Sequence, residues 1–135
     1  MNEIIKSIKE VSDIKINGHY ANFGGYEIET DKQVIKVLIS QDQHCCEDFG
    51  YLSSVDDPED FIGAIINKVE LVDEFYDKTE WKRKFNYGLD DGEAMFVNFE
   101  TDKGTFQLTA YNRHNGFYSH AAFLISKDLN VTESL

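Results

Sequence analysis

Apolar residues recur through positions 2–11 at Ile4, Ile5, Ile8 and Val11. The i, i+1, i+4, i+7 spacing puts them on one side of a helix and predicts an N-terminal helix over residues 2–11. After Gly24-Gly25 the pattern changes. Tyr26-Glu27-Ile28-Glu29 alternates, Asp31-Lys32 reads as a turn, and Val34-Ile35-Lys36-Val37-Leu38-Ile39 is a β-branched strand. Asp57-Pro58-Glu59-Asp60 predicts the start of a short helix holding Phe61, Ile62 and Ile65, with Asp57 as N-cap and Pro58 in its first position. Val69 to Phe75 predicts a further strand. Residues 78–91 are polar, with turn signals at Gly88 and Asp90-Asp91-Gly92.

Three strands fit the end of the chain, at 94–101, 105–113 and 117–125. Asp102-Lys103-Gly104 joins the first two, and Asn115-Gly116 joins the second two as a hairpin turn. The polar tail 127–135 is expected to fray. The fold class expected is α+β in a single domain, residues 1–135. It comprises an antiparallel β-sheet core with a C-terminal three-stranded meander, an N-terminal helix and one or two short helices.

A two-residue Asn115-Gly116 turn fixes register. It sets Tyr111 opposite His120, Arg113 opposite Tyr118 and Asn112 opposite Ser119. Phe106, Leu108 and Ala110 then share a core face with Ala121, Phe123 and Ile125. Tyr111, Arg113, Tyr118 and His120 gather on the other face near the tip, which Val97 and Phe99 share. Apolar groups on both faces predict a homo-oligomer.

The chain has two arginines, Arg83 in Lys82-Arg83-Lys84-Phe85-Asn86-Tyr87 and Arg113 in Tyr111-Asn112-Arg113-His114-Asn115. Both sit among aromatic and Asn residues. Rings stack on a base, Asn reads its edge and a guanidinium grips phosphate in a bidentate manner, so the set suits a nucleotide-like ligand. A solvated sheet face with cross-strand aromatic pairs explains the same residues.

Composition narrows the partners. Twenty-five acidic residues against 13 basic ones give a net charge of −12. That disfavours long nucleic acid and anionic membrane surfaces, whose binding is driven by phosphate neutralisation. A small anion needs only local positive charge. Ten Phe and seven Tyr exceed what a small core needs, so some are expected to line a pocket or an interface. No stretch has the length of a membrane span, and Met1-Asn2-Glu3-Ile4-Ile5-Lys6 lacks the pattern of a signal peptide. The adjacent Cys45-Cys46 pair reads as reduced thiols and points to the cytoplasm.

Catalytic motifs are missing. There is no Gly-x-Ser-x-Gly elbow, no phosphate-binding glycine loop and no His-Glu-x-x-His. His44-Cys45-Cys46-Glu47 is too compact for the usual zinc spacing. Asp56-Asp57 and Asp90-Asp91 read as turn and cap chemistry. The expectation is a protein that is not an enzyme and needs no cofactor or metal.

Three segments carry a family resemblance. They are Gln43-His44-Cys45-Cys46-Glu47-Asp48-Phe49-Gly50-Tyr51, then Asp60-Phe61-Ile62-Gly63-Ala64 running into Lys68-Val69-Glu70-Leu71-Val72, and Tyr111-Asn112-Arg113-His114-Asn115-Gly116-Phe117-Tyr118-Ser119-His120. In this order, over residues 20–125, the chain resembles the phage Thoeris anti-defence 1 family. The resemblance implies a sponge that binds and sequesters the cyclic ADP-ribose-type signal of bacterial Thoeris immunity without cleaving it, in the cytoplasm of an infected bacterial host cell. It also implies cyclic-oligonucleotide binding at a second site in some members, and dimers or larger rings with pockets shared between protomers. Phe85, Asn86, Tyr111, Asn112, Arg113 and Tyr118 are then expected around the ligand, with Asn115 and His120 beside them. Cys45, Cys46 and Glu47 look structural. The competing expectations are an acidic module that blocks a basic host protein and a small cyclic-nucleotide hydrolase.

Overall fold

The N-terminal residues form a strand, not a helix. Ile5 and Ile8 are both buried although they stand three apart, the spacing that mimics a helix face. A bulge supplies the extra residue: Ile5 pairs with Thr30, Ser7 pairs with Glu29, and Lys6 is left between them. Ile8 therefore returns to the face that Ile5 occupies, and the β-branched side chains pack on a pleated surface.

In this computed structural model residues 1–41, 49–72, 93–112 and 120–135 are described, Glu93 in its backbone alone. They form nine antiparallel strands: β1 Glu3–Ile14, β2 Phe23–Thr30, β3 Val34–Ser40, β4 Phe49–Ser53, β5 Ile65–Val72, β6 Glu93–Thr101, β7 Gly104–Asn112, β8 Ala121–Ile125 and β9 Asn130–Ser134. The expected α+β class is thus overturned in favour of an almost wholly β fold. The predicted short helix is a single 3-10 turn over Pro58–Phe61, and Ile65 opens β5 instead. Asp57 caps that turn as expected, its side chain accepting a hydrogen bond from the Glu59 N–H at 3.1 Å.

The strands lie in the order β4-β7-β6-β5-β1-β2-β3-β8-β9. β1 bonds to β5 through Glu3–Ile66 and Ile4–Ile65, and to β2 along most of its length. Further bulges follow Val11 on β1 and Ile66 on β5, and the first holds Asp13 at φ 56°. Such kinks let one sheet fold over on itself at β1. One limb, β5-β6-β7-β4, then faces the other, β2-β3-β8-β9. Ile28, Ile35, Val37 and Ile39 of the second limb meet Met95, Val97, Phe99, Phe106 and Leu108 of the first in a single core. Phe99 stacks on Phe106 with centroids 4.9 Å apart.

Two expectations about the C-terminal strands fail. β7 and β8 are not neighbours: β7 lies between β4 and β6, and β8 between β3 and β9. Long-range pairing wins over a local hairpin. Accordingly Ala122 and Leu124 face the main core, while Phe123 turns to a second cluster with Phe23 and Leu38. His19, in the β1–β2 connection, sets its ring edge-on to Phe23 and Phe123 at 5.8 and 5.0 Å. The turn at Asp102-Lys103 pairs Phe99 with Phe106 and Val97 with Leu108, so these four share the core face. The two-faced placement of these four residues, from which an oligomer was expected, is therefore replaced by a single core face. The 127–135 tail is not frayed. β9 pairs with β8 from Asn130 to Ser134, and Leu135 is buried in the core.

Candidate functional site

Two regions of the sheet bear on function. The first is an end of the sheet where the ends of six strands lie together. On β4, β7 and β6, Phe49, Asn112 and Glu93 lie in register. β5 runs out beside them at Val72, which pairs with Phe96. Ser40, at the end of β3, lies against His120 just before β8. The described chain leaves the sheet at this end after Gln41, Val72 and Asn112, and returns at Phe49, Glu93 and His120.

Three of the eight expected ligand residues are described, and all three are buried. Tyr111 is 5% exposed, Asn112 2% and His120 1%. Tyr111 and His120 are not opposite one another, because β7 and β8 do not pair. Tyr111 stands on the outer face of its limb, packed with Leu52, Ala94 and Phe96. Its hydroxyl lies so near Gly50 that a Cβ there would come to 3.2 Å from it. His120 Nδ1 is 2.9 Å from both the hydroxyl and the carbonyl oxygen of Ser40, and its ring stacks on Phe49 with centroids 4.1 Å apart. The Leu135 carbonyl accepts from the His120 N–H at 2.8 Å and from Asn112 Nδ2 at 3.1 Å. Asn112 and His120 thus both hold the Leu135 carbonyl and tie the two limbs together. Arg113, Tyr118, Asn115, Phe85 and Asn86 lie outside the described residues, as do Cys45, Cys46 and Glu47.

The second region is a cleft where the core opens. On β1 the inward-facing row runs Ile5, Ile8, Glu10, because Ile8 pairs with Ile28 and Glu10 with Tyr26. On β4, Tyr51 pairs with Ala110 and so shares the core face. Tyr26 and Tyr51 meet edge to face across the limbs, centroids 5.1 Å apart. Around them is a cavity of about 440 Å³, closed on one side by the 3-10 turn with Asp57 and Glu59. That volume is within the usual range for small-ligand sites. Burial, reinforced by the negative charge of Glu10, pushes the Tyr26 hydroxyl far above its ordinary titration range. The same two causes raise that of Tyr51. Both phenols are therefore neutral at physiological pH.

A protein-family model described as a domain of unknown function, DUF7448, matches residues 2–124. The chain belongs to the DUF7448 family. No curated protein and no solved structure matches it. This DUF7448 chain has no helix, among its described residues, long and apolar enough to cross a membrane.

The sequence did not single out Glu10, Tyr26 or Tyr51. Their one signal was the surplus of aromatic residues, which carries no position. The cleft draws on β1, β2, β4 and the 3-10 turn, so no local motif could mark it.

Proposed function

We propose that this DUF7448 protein is a non-catalytic sponge. It sequesters a small cyclic nucleotide signal of the cyclic ADP-ribose type, as the resemblance to Thoeris anti-defence 1 proteins implies, in the cytoplasm of an infected bacterium. The observation that carries the reading is that the strand ends flanking three connections, 42–48, 73–92 and 113–119, lie at one end of the sheet. In sequence those connections hold both arginines, together with Phe85, Asn86, Asn115 and Tyr118. Cationic and aromatic residues of these types suit a phosphate-bearing ring. A sponge acts by tight binding and abundance, without turnover. Assembly into dimers or rings with shared pockets, and a second oligonucleotide site, belong to the same proposal.

The test is to incubate the purified protein with the cyclic ADP-ribose signal, denature it by heat and analyse what is released by chromatography. Intact ligand in stoichiometric amount is expected. A cleaved product makes the protein a hydrolase, and no bound ligand defeats the sponge. Arg113→Ala should weaken binding by roughly 10- to 150-fold, the worth of one hydrogen bond to a charged group, with Arg113→Lys recovering only part of it. Light scattering that returned the mass of one chain would remove the oligomer from the proposal.

A second reading, an acidic module that engages a basic partner protein, is favoured by the carboxylates around the open cleft.

A further inference from the structure

The row of inward-facing residues on β1 changes character at Glu10. Ile5 and Ile8 are buried, whereas Glu10 opens to solvent at the mouth of the cleft. Facing it, Tyr26 is only 6% exposed, and its hydroxyl makes no hydrogen bond among the described residues. A buried hydroxyl without a partner forfeits about 1–3 kcal/mol relative to a satisfied one. Something that enters the cleft can supply the missing partner. Tyr26 lines the same cavity as Glu10 and Tyr51.

The chemistry of the walls selects the ligand. Among the described residues Glu10 and Glu59 carry no hydrogen bond or ion pair on their carboxylates, and Asp57 caps the 3-10 turn. Lys9, the one cation among the described lining residues, is engaged by Glu27 at 3.7 Å. A phosphate is repelled here, so the nucleotide proposed above does not belong in this cleft. No three His, Cys, Asp or Glu side chains among the described residues gather closely enough to hold a metal ion. A cavity of about 440 Å³ is also far larger than a bare ion needs. What remains is an organic cation. Two tyrosine rings offer their π-systems to it, Ile8 and Val55 offer apolar contact to an alkyl stem, and the Tyr26 hydroxyl accepts one N–H.

We infer that the cleft between β1–β2 and β4 binds an alkylguanidinium or alkylammonium group, held between the Tyr26–Tyr51 pair and the Glu10 carboxylate. Both phenols are neutral at physiological pH, as ordinary phenols are, so the Tyr26 oxygen can accept from the cation. The group can arrive as the side chain of an arginine or lysine on a partner protein, or as a free amine.

Calorimetric titration at 0.15 M salt tests this, with agmatine and an acetyl-Gly-Arg-Gly-amide peptide as probes against the full chain, Tyr26→Phe and Glu10→Gln. Saturable binding with one site per chain is expected, weakened about 5- to 10-fold by Tyr26→Phe and at least as much by Glu10→Gln. Tyr26→Phe leaves net charge unchanged and removes an unsatisfied hydroxyl, so its fold should be intact in a thermal melt. Tighter binding of the peptide than of agmatine assigns the site to a protein partner; the reverse assigns it to a free amine. Heats that fail to saturate, or that are the same in all three proteins, would reflect only the cation atmosphere of a −12 chain and overturn the inference. These outcomes do not depend on whether a cyclic nucleotide binds at the other site.

Discussion

Gly25 on β2 presses against the carbonyl of Val37 on β3 so closely that a Cβ at position 25 would overlap the Val37 oxygen. Its φ of 151° is also one that side chains rarely adopt. The glycine sits next to the second β1 bulge, as the partner of Val11. Gly25→Ala should destabilise the fold by about 3 kcal/mol, from overpacking and backbone strain together. Urea unfolding reads this directly, and a midpoint within error of the parent's would show that β2 and β3 can separate at no cost.

Leu135 should matter as much as a residue in the middle of the chain. It is 7% exposed and belongs to the main core. Leu135→Ala should cost about 2 kcal/mol, the low end for such truncations, because backbone bonds to His120 persist. A frayed tail predicts no change in the urea midpoint.

Glu3 is a buried carboxylate satisfied by side chains near the β2–β3 turn. It accepts from the Thr30 hydroxyl at 2.6 Å and from Gln33 Nε2 at 2.9 and 3.1 Å. Glu3→Ala removes the carboxylate that both donors share, although the Thr30 hydroxyl keeps the Gln33 carbonyl as an acceptor at 3.2 Å, and should cost about 1.5–3 kcal/mol. The drop in thermal midpoint measures it, and Thr30→Val should produce part of the same drop without adding to it fully.

Alkali should unfold the protein, with Tyr26 as a principal cause. Its folded titration point is raised above the value of about 10 found in unfolded chains, by burial first and by Glu10 second. The unfolded state therefore releases a proton that the folded state keeps. The stability this contributes is fully present below about pH 10 and is lost as pH climbs further. Tyr26→Phe should flatten that alkaline loss and leave the neutral-pH midpoint nearly unchanged. Absorbance at 295 nm should show one tyrosine that ionises only with unfolding; early, reversible ionisation of every tyrosine would count against the burial of Tyr26.

The sequence made the paired middle of the fold legible and obscured its joins. β2, β3, β6 and β7 follow from β-branched alternation and from the turns at Asp31-Lys32 and Asp102-Lys103, which are local signals. β1 was hidden because one extra residue, Lys6, turns a period of two into a spacing of three. β9 was hidden because Asn130–Ser134 is polar; its strand form comes from the partner edge of β8 and from Leu135 beyond it. Asn115-Gly116 was misleading for a related reason. It announced a β7–β8 hairpin, but β7 pairs instead with β4 and β8 with β3, 55 to 89 residues away in sequence. The site suffered most, since Tyr111, Asn112 and His120 owe their roles to those distant pairings, and Glu10 and Tyr26 meet Tyr51 only once the limbs have closed.

The shared strand β1 also sets a timetable. The β2–β3 and β6–β7 hairpins close over two or three residues and can form within about 1–10 μs. Joining the limbs means bringing Glu3 to Ile66, Phe49 to Asn112 and Lys36 to Ile125. Each of these closes a long loop before any contact rewards it, so assembly belongs in the millisecond-to-second range of non-local β proteins. Until β1 docks on β5, both limbs expose unpaired strand edges of the kind that recruit other chains. The net charge of −12 then serves a second purpose, keeping half-assembled molecules apart while the sheet completes its fold.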